Sequence, residues 1–320
     1  MPDGLVAARA LGIHLERSGA QPFRGIRFCG GGEAVEALFP NGYGLGIRRT
    51  ALHEILVEHA AAAGARLAWG TRVTGIGEEG VFADDRLVRA RWIVGADGGH
   101  SNVRRWAGLD ACRRDRRRYG FRRHYSLAPW SEYMEVHWGD RCQLYITPVG
   151  AGEICVVLIS ADPRLRLDDA LPQFPEVASR LRQAGGVTAE RGGVTASRSL
   201  QSVASGPVAL VGDASGSVDA VTGEGLCLLF QQAASLASSF ETGGLELYQA
   251  EHRRIGRRPQ LMADFMLLLD GRRRLRRRAL RAFSAKPRLF ARLLAMHVGE
   301  LTTLDFFTNS VALGWNMLTL

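Results

Sequence analysis

Apolar residues recur along this chain with two different periods, and the period changes twice. Over residues 51–63, Leu52, Ile55, Leu56 and His59 fall on one side at helical spacing, and alanine fills most of the rest. Thr50 is a suitable N-cap and Gly64 a suitable stop for that helix. Residues 66–73 read as a short strand through Leu67, Trp69 and Val73. Residues 81–88 read as a hairpin with Asp84–Asp85 at its turn. Residues 91–96 form an apolar strand that ends in Asp97–Gly98, and Ser101 is placed to cap a short helix through Trp106. The middle differs. Residues 133–138, 143–147 and 154–160 are short, aromatic and β-branched, with Gly139–Asp140 and Gly150–Ala151–Gly152 between them, which predicts an antiparallel meander. Residues 162–184 are expected to be helical, broken at Pro172 and Pro175. The first pattern then returns. Residues 207–211 form a buried-type strand running into Gly212–Asp213–Ala214, and residues 226–240 carry a strong helix pattern closed by Gly243–Gly244. Residues 245–307 are mainly helical, with Pro259 and Pro287 as punctuation.

Strand and helix, then a β-rich stretch, then strand and helix again predict an α/β (α+β) chain: one α/β domain interrupted by a β domain. A length of 320 residues, 46% hydrophobic and 23% charged, is enough to bury a core and excludes a disordered chain. No apolar run reaches the roughly 18 residues that a spanning helix needs. The first ten residues lack a charged-then-apolar export pattern, so a cytoplasmic location is expected. The five cysteines are scattered with no CxxC pair, which points to neither a disulfide framework nor a zinc site.

The net charge is +9, and all but one of the 41 basic residues are arginine. The charge is local. Residues 253–292 hold 14 basic residues against Asp264 and Asp270, and residues 104–123 hold nine arginines against Asp110 and Asp115. The rest of the chain is acidic. The run Arg272–Arg281, followed by the amphipathic Leu289, Phe290, Leu293, Leu294 and Met296, reads first as a solvated helix face. The alternative is peripheral contact with an anionic membrane. No nucleic-acid partner is expected, because no recognition motif accompanies the charge.

Three segments carry candidate chemistry. Arg49 opens an R-x-x-L-x-x-x-L helix start, where it is placed to meet an anion. Gly95-Ala96-Asp97-Gly98-Gly99-His100-Ser101-Asn102-Val103-Arg104 is a strand end in Asp-Gly, at the sheet edge where α/β folds bind ligands. Gly212-Asp213-Ala214 ends a buried strand, and Thr222-Gly223-Glu224-Gly225 opens the helix that runs on through Leu226. The start of that helix offers free N–H groups and partial positive charge to an anion.

In order and spacing, these segments resemble the FAD-dependent flavoprotein oxidoreductases built like para-hydroxybenzoate hydroxylase and geranylgeranyl reductase. The resemblance covers residues 42–250 and rests on the GADG-x-x-S-x-V-R and GDA patterns. It implies a Rossmann-like FAD-binding domain with an inserted antiparallel substrate domain and a helical C-terminus. The implied boundaries are 1–108 and 199–250 for the FAD domain, 109–198 for the substrate domain and 251–320 for the helical region. It implies FAD as cofactor and NAD(P)H as electron donor. Arg49 and Asp213 would contact FAD, with Val73 in the cofactor-binding set. Asp97 and Gly98 would line the pyrophosphate region. Gly223, Gly225 and Leu226 would face the isoalloxazine. The TGEG words resemble the reductases more than the aromatic hydroxylases, and Ala220 stands where those relatives usually have proline.

The family's opening strand–GxGxxG–helix unit has no counterpart here. Gly44-x-Gly46 continues into Ile47-Arg48-Arg49, and Gly30-Gly31-Gly32 reads as a hairpin turn. Either the coding start lies upstream or the unit is lost. The function implied is an NAD(P)H-linked flavin monooxygenase acting on a hydrophobic or aromatic small molecule. The alternatives are a C=C reductase, or a non-catalytic remnant with weak or no FAD binding. No side chain presents itself as an obligatory acid or base, so no catalytic residue is named.

Overall fold

The computed structural model describes residues 1–84, 86–301 and 303–319. Helix α1 (Pro2–Ala10) leads to a hairpin, β1 (Gly25–Gly30) and β2 (Glu33–Leu38), turned at Gly31 and Gly32 with φ of 63° and 85°. Such φ values exact no penalty from glycine. Helix α2 (Arg49–Ala62) and a small antiparallel sheet (Val73–Gly77, Gly80–Ala83, Arg86–Arg89) follow. Strand β3 (Ile93–Gly95) and helix α3 (Asn102–Trp106) precede the longer strands β4 (Cys112–Tyr125), β5 (Tyr133–Trp138), β6 (Cys142–Gly150) and β7 (Glu153–Ser160). After two short helices (Leu167–Ala170, Pro175–Leu181) come β8 (Arg191–Leu200), β9 (Val208–Leu210) and β10 (Gly216–Ser217). The chain finishes in α4 (Gly225–Thr242), α5 (Glu246–Gly271), α6 (Arg273–Ala285), α7 (Pro287–His297) and α8 (Thr303–Thr319).

The large sheet has eight strands in the order β10-β8-β4-β7-β6-β5-β1-β2. Its pairs are antiparallel except β5 with β1. Side chains alternate across it, as the pleat requires. On β6, Leu144 and Ile146 join one core with Leu167, Phe174 and Val177 of the short helices. Tyr145, one residue over, joins the opposite core, where Phe28 and Trp138 meet Met262, Phe283 and Phe290 of the C-terminal helices. Both faces are therefore covered, which explains the apolar runs in β6 and β7. The expected boundary at residue 109 does not divide the chain cleanly: β1 and β2, from the first hundred residues, extend this same sheet.

The α/β part is smaller. Strand β9 pairs in parallel with β3, Leu210 beside Gly95, and β3 is the edge strand with Val94 41% exposed. Three local expectations are corrected. Residues 66–72 form no strand, and Leu67 and Trp69 stand exposed with no strand to pair against among the described residues, Trp69 meeting only the His53 ring edge-on (5.9 Å). Helix α2 begins at Arg49, so Thr50 lies inside its first turn rather than capping it. The hairpin turn stands where it was expected, with Asp84 at φ 44°, and Asp85 lies outside the described residues. The apolar stripe Leu289, Phe290, Leu293, Leu294 and Met296 is buried against the large sheet and is not available for insertion into lipid. Among the described residues, no helix is long and apolar enough to cross a membrane.

One buried polar knot joins these parts. Arg118 of β4 donates to Gln143 of β6 (2.7 Å), Asp219 (3.3 Å) and Asp270 of α5 (3.1 Å). Asp219 in turn accepts from the Val221 N–H (3.0 Å) and fixes the turn that precedes α4. Tyr145 donates to the Val221 carbonyl (2.9 Å) and Thr195 accepts from the Ala220 N–H (3.3 Å). Removing the cation leaves two carboxylates in a low-dielectric interior, which costs far more than losing a surface pair. Arg118→Ala is expected to lower unfolding free energy by about 3–5 kcal/mol in urea titrations. Arg89→Ala, which breaks the exposed pair with Glu79, is expected to change it by less than about 1 kcal/mol. Similar small losses for both would contradict a stabilising role for the knot.

Candidate functional site

Strands β3 and β9 end side by side, and the Val211 N–H donates to the Gly95 carbonyl (3.0 Å). The loops that follow them, Ala96–Gly99 and Gly212–Ser215, lie at the carboxyl edge of the parallel pair, the usual ligand edge of such sheets. Arg104 ties the two loops together. It is 2% exposed, donates to the carbonyls of Gly99 (2.9 Å) and Ala214 (3.0 Å), and pairs with Asp110 (2.7 Å). The sequence shows Arg104 only as the last letter of a motif. Its role is to hold both loops in register.

The candidate residues divide by what their side chains already do. Asp97 accepts from the Ser101 hydroxyl and from the N–H groups of Asn102 (2.7 Å) and Val103 (3.2 Å). Burial opposes its charge, but these hydrogen bonds outweigh it and hold the carboxyl below the usual carboxylate range. Its carboxylate is thus engaged in starting α3, while Ser101 caps the Arg104 N–H as expected. The open part of that loop is Gly98, at φ 78°, and Gly99, where no atom stands near the position of a Cβ. Asp213 is exposed, and its carboxylate makes no hydrogen bond or ion pair with the described residues. Arg49 is exposed and also without an ion pair among the described residues, because its neighbour Arg48 takes Glu153 of β7. Val73 opens the small antiparallel sheet and stands 41% exposed outside the buried clusters.

Gly223, at φ 68°, and Gly225 are exposed, and Leu226 packs against the cluster of Leu5, Leu52 and Phe230. That cluster places α1, α2 and α4 in one bundle beside the loop edge. The N-terminus of α4 has no side-chain cap, so its first N–H groups are free for an anion. Against FAD, the flavin and ribityl end fits: an unengaged carboxylate at Asp213, an uncapped helix start, and glycines with open space at Gly98, Gly99 and Gly225. For the adenosine end, the described residues offer no strand–glycine loop–helix unit beside the edge strand β3.

Sequence reasoning missed the pair beneath this turn. Glu224, the residue before α4, turns its side chain inward and is 1% exposed. Both its carboxyl oxygens are buried without a hydrogen-bond donor, and Nδ1 of buried His297 lies 3.1 Å from one of them. Burial pushes the Glu224 carboxyl up to about 8 and His297 down to about 4. The contact is therefore between neutral groups, and one proton on Glu224, donated to Nδ1, satisfies both. Arg258 and Asp3, paired at 2.6 Å, face the same spot, as does the Met1 amine. The only available signal was that glutamate in an otherwise apolar and glycine-rich turn. His297 also lines a narrow apolar cavity of about 30 Å³ with Val221, Thr222, Met262, Met266 and Phe290. The turn thus has two sides, an open edge with Asp213 and an apolar seam against the large sheet.

Residues 21–138 match the FAD binding domain family. The chain is 30% identical over 217 residues to a digeranylgeranylglycerophospholipid reductase of Methanosarcina mazei, covering 61% of this chain and 52% of that protein. It is 39% identical over 72 residues to a rifampicin monooxygenase of Streptomyces venezuelae, covering 21% of this chain and 15% of that one. The chain thus spans about half the length of the reductase it matches, and less of the monooxygenase. Among solved structures, a flavoprotein/dehydrogenase from Cytophaga hutchinsonii superposes with a TM-score of 0.74 at 18% identity, over 92% of this chain and 79% of that one.

The Glu224–His297 pair has a pH signature. Glu224 is raised in the fold, so its contribution is full below its ordinary 4.5 and is lost as pH rises to about 8. His297 is lowered, so its contribution is full above 6.5 and is lost as pH falls to about 4. The two slopes oppose each other between 4.5 and 6.5, and only Glu224 acts between 6.5 and 8. Unfolding free energy is expected to fall over that upper window by up to about 2 kcal/mol. Glu224→Gln should flatten the fall, and an unchanged slope in that variant would assign the pH effect elsewhere.

Proposed function

We propose that the chain is a member of the FAD-binding flavoprotein oxidoreductases that join para-hydroxybenzoate hydroxylase-like and geranylgeranyl reductase-like proteins, and that it is an FAD-dependent monooxygenase of a hydrophobic small molecule, with NAD(P)H as electron donor. One observation carries the reading. An unengaged carboxylate and an uncapped helix start share one open edge, and an apolar cavity lies behind the same turn. FAD, when bound, supplies the redox chemistry that protein side chains lack. Asp213 accepts a hydrogen bond from a cofactor hydroxyl. The N–H groups at the start of α4 stabilise negative charge on the flavin. Val221, Thr222 and the methionines of α5 line the apolar seam behind the turn, and methionine side chains are adaptable enough for the seam to widen around an apolar substrate. His297 and Glu224 keep the polar end of that seam neutral.

A second reading is favoured by Thr222–Gly225 and by the 217-residue likeness to an archaeal lipid reductase. In it, the same edge serves reduction of a C=C bond in a prenyl-like chain. We also propose that the exposed arginines of the 272–281 run draw the protein to anionic membrane surfaces by charge alone. Arg272, Arg273, Arg274, Arg277, Arg278 and Arg281 are exposed, whereas Arg276 is buried against Trp138 and the Gly139 carbonyl.

Titration of FAD, read by quenching of its fluorescence, is expected to saturate, and Asp213→Ala to weaken binding about tenfold. Bleaching of the bound flavin by NADPH or NADH without oxygen identifies the donor. Unchanged FAD fluorescence at every protein concentration would favour the non-catalytic remnant. Sedimentation with vesicles rich in phosphatidylserine is expected at low salt and lost at high salt, since no apolar face inserts. Glutamine at Arg272, Arg273, Arg274, Arg277 and Arg278 should abolish it, and sedimentation that survives these changes would contradict the charge mechanism.

A further inference from the structure

The two basic segments, far apart in sequence, meet around one pocket. It holds about 220 Å³ and lies between β8, the turn Ser215–Val218 and α5. Arg113, Arg198, Arg253 and Arg257 line it, and no aspartate or glutamate does. Arg198 donates to the Gly99 carbonyl (2.8 Å) and pairs with Asp115 (3.2 Å), yet its Nε is buried without a partner. Among the described residues, the Arg253 guanidinium donates only to the Gln201 carbonyl (3.2 Å). Arg113 and Arg257 make no hydrogen bond or ion pair with the described residues, and Asp264 is engaged by Arg114 (2.7 Å) instead. Three guanidinium groups therefore keep their charge uncompensated around a common space.

His252 sits at the wall with Nε2 2.9 Å from the Ser215 hydroxyl and 3.2 Å from Gln232 Nε2. Burial, aided by Arg253, lowers its pKa to about 4, so it presents a neutral ring at neutral pH. Like charges gathered in a recess repel one another, and an anion with several acceptor oxygens relieves that repulsion. Arginine's planar fork matches phosphate oxygens in pairs. The space is several times the roughly 30 Å³ that a water occupies in the liquid.

We propose that this pocket binds a phosphate-bearing small anion, held by Arg113, Arg198, Arg253 and Arg257. The pocket backs onto the Gly212–Ser215 loop, but the proposal needs no flavin.

Inorganic pyrophosphate is the probe, added to the full chain at constant ionic strength and followed by thermal unfolding and calorimetry. A saturable rise in melting temperature is expected, with at least tenfold weaker binding in the Arg113→Gln/Arg257→Gln variant. Both arginines are exposed and unpaired, so the variant keeps the fold, and its unchanged melting temperature without ligand verifies this. Glutamine at Arg272, Arg273 and Arg274 should leave binding as it is. NADPH against NADH, inorganic phosphate, and short-chain phosphatidic acid then separate a nucleotide phosphate, a free phosphate and a lipid headgroup. A shift matched by potassium chloride overturns the proposal. So does binding that FAD displaces but the double variant retains, because the anion is then in the cofactor site.

Discussion

Arg118 is the point on which the two halves of this protein depend. It sits in the middle of the large sheet, yet two of its three side-chain partners lie elsewhere, in the turn before α4 and in α5. A guanidinium buried among two carboxylates and an amide is tolerable only if all are held in place together. That requirement works in both directions. The sheet cannot shift without exposing Asp219, and the turn cannot relax without stranding Arg118. The turn in question carries Gly223, Glu224 and Gly225.

The geometry of the candidate site follows from that anchoring. With Val221 pinned by Asp219 and Tyr145, the next three residues have little freedom, and the chain enters α4 with its first N–H groups free of a side-chain cap. Glycine at 223 accepts the left-handed φ that the turn imposes. Glu224 is directed inward by the same geometry, and neutrality is the condition of its burial beside His297. On the other side of the turn lies the apolar seam between sheet and C-terminal helices. A rigid strip of backbone thus separates an open polar edge from an apolar cavity.

How much of this was legible in the sequence follows physical range. The strand ends at Asp97 and Asp213, the glycine turn at residues 30–32, the Ser101 cap and the long α4 are short-range patterns, and all stand where they were expected. The Asp97 carboxylate proved to be engaged by its own helix, which a motif alone does not reveal. Arg118, Glu224 and His297 act through partners far away in sequence, and no local spacing marks them. The pairing of the β1–β2 hairpin with β5, across the expected boundary near residue 109, is long-range for the same reason. Leu67 and Trp69 carry strand-like residues without a neighbouring strand, and pairing decides. The arginine count was plain, but not that its two clusters converge on one pocket.

The dependence of the turn on the sheet is open to direct measurement by amide hydrogen exchange in Arg118→Met, under conditions where the protein stays folded. If Arg118 holds the turn, exchange should speed up across residues 219–228, while β6 and β7 retain their protection. Unchanged exchange across those residues, in a variant shown to be folded, would contradict the coupling from which the geometry of the site is derived.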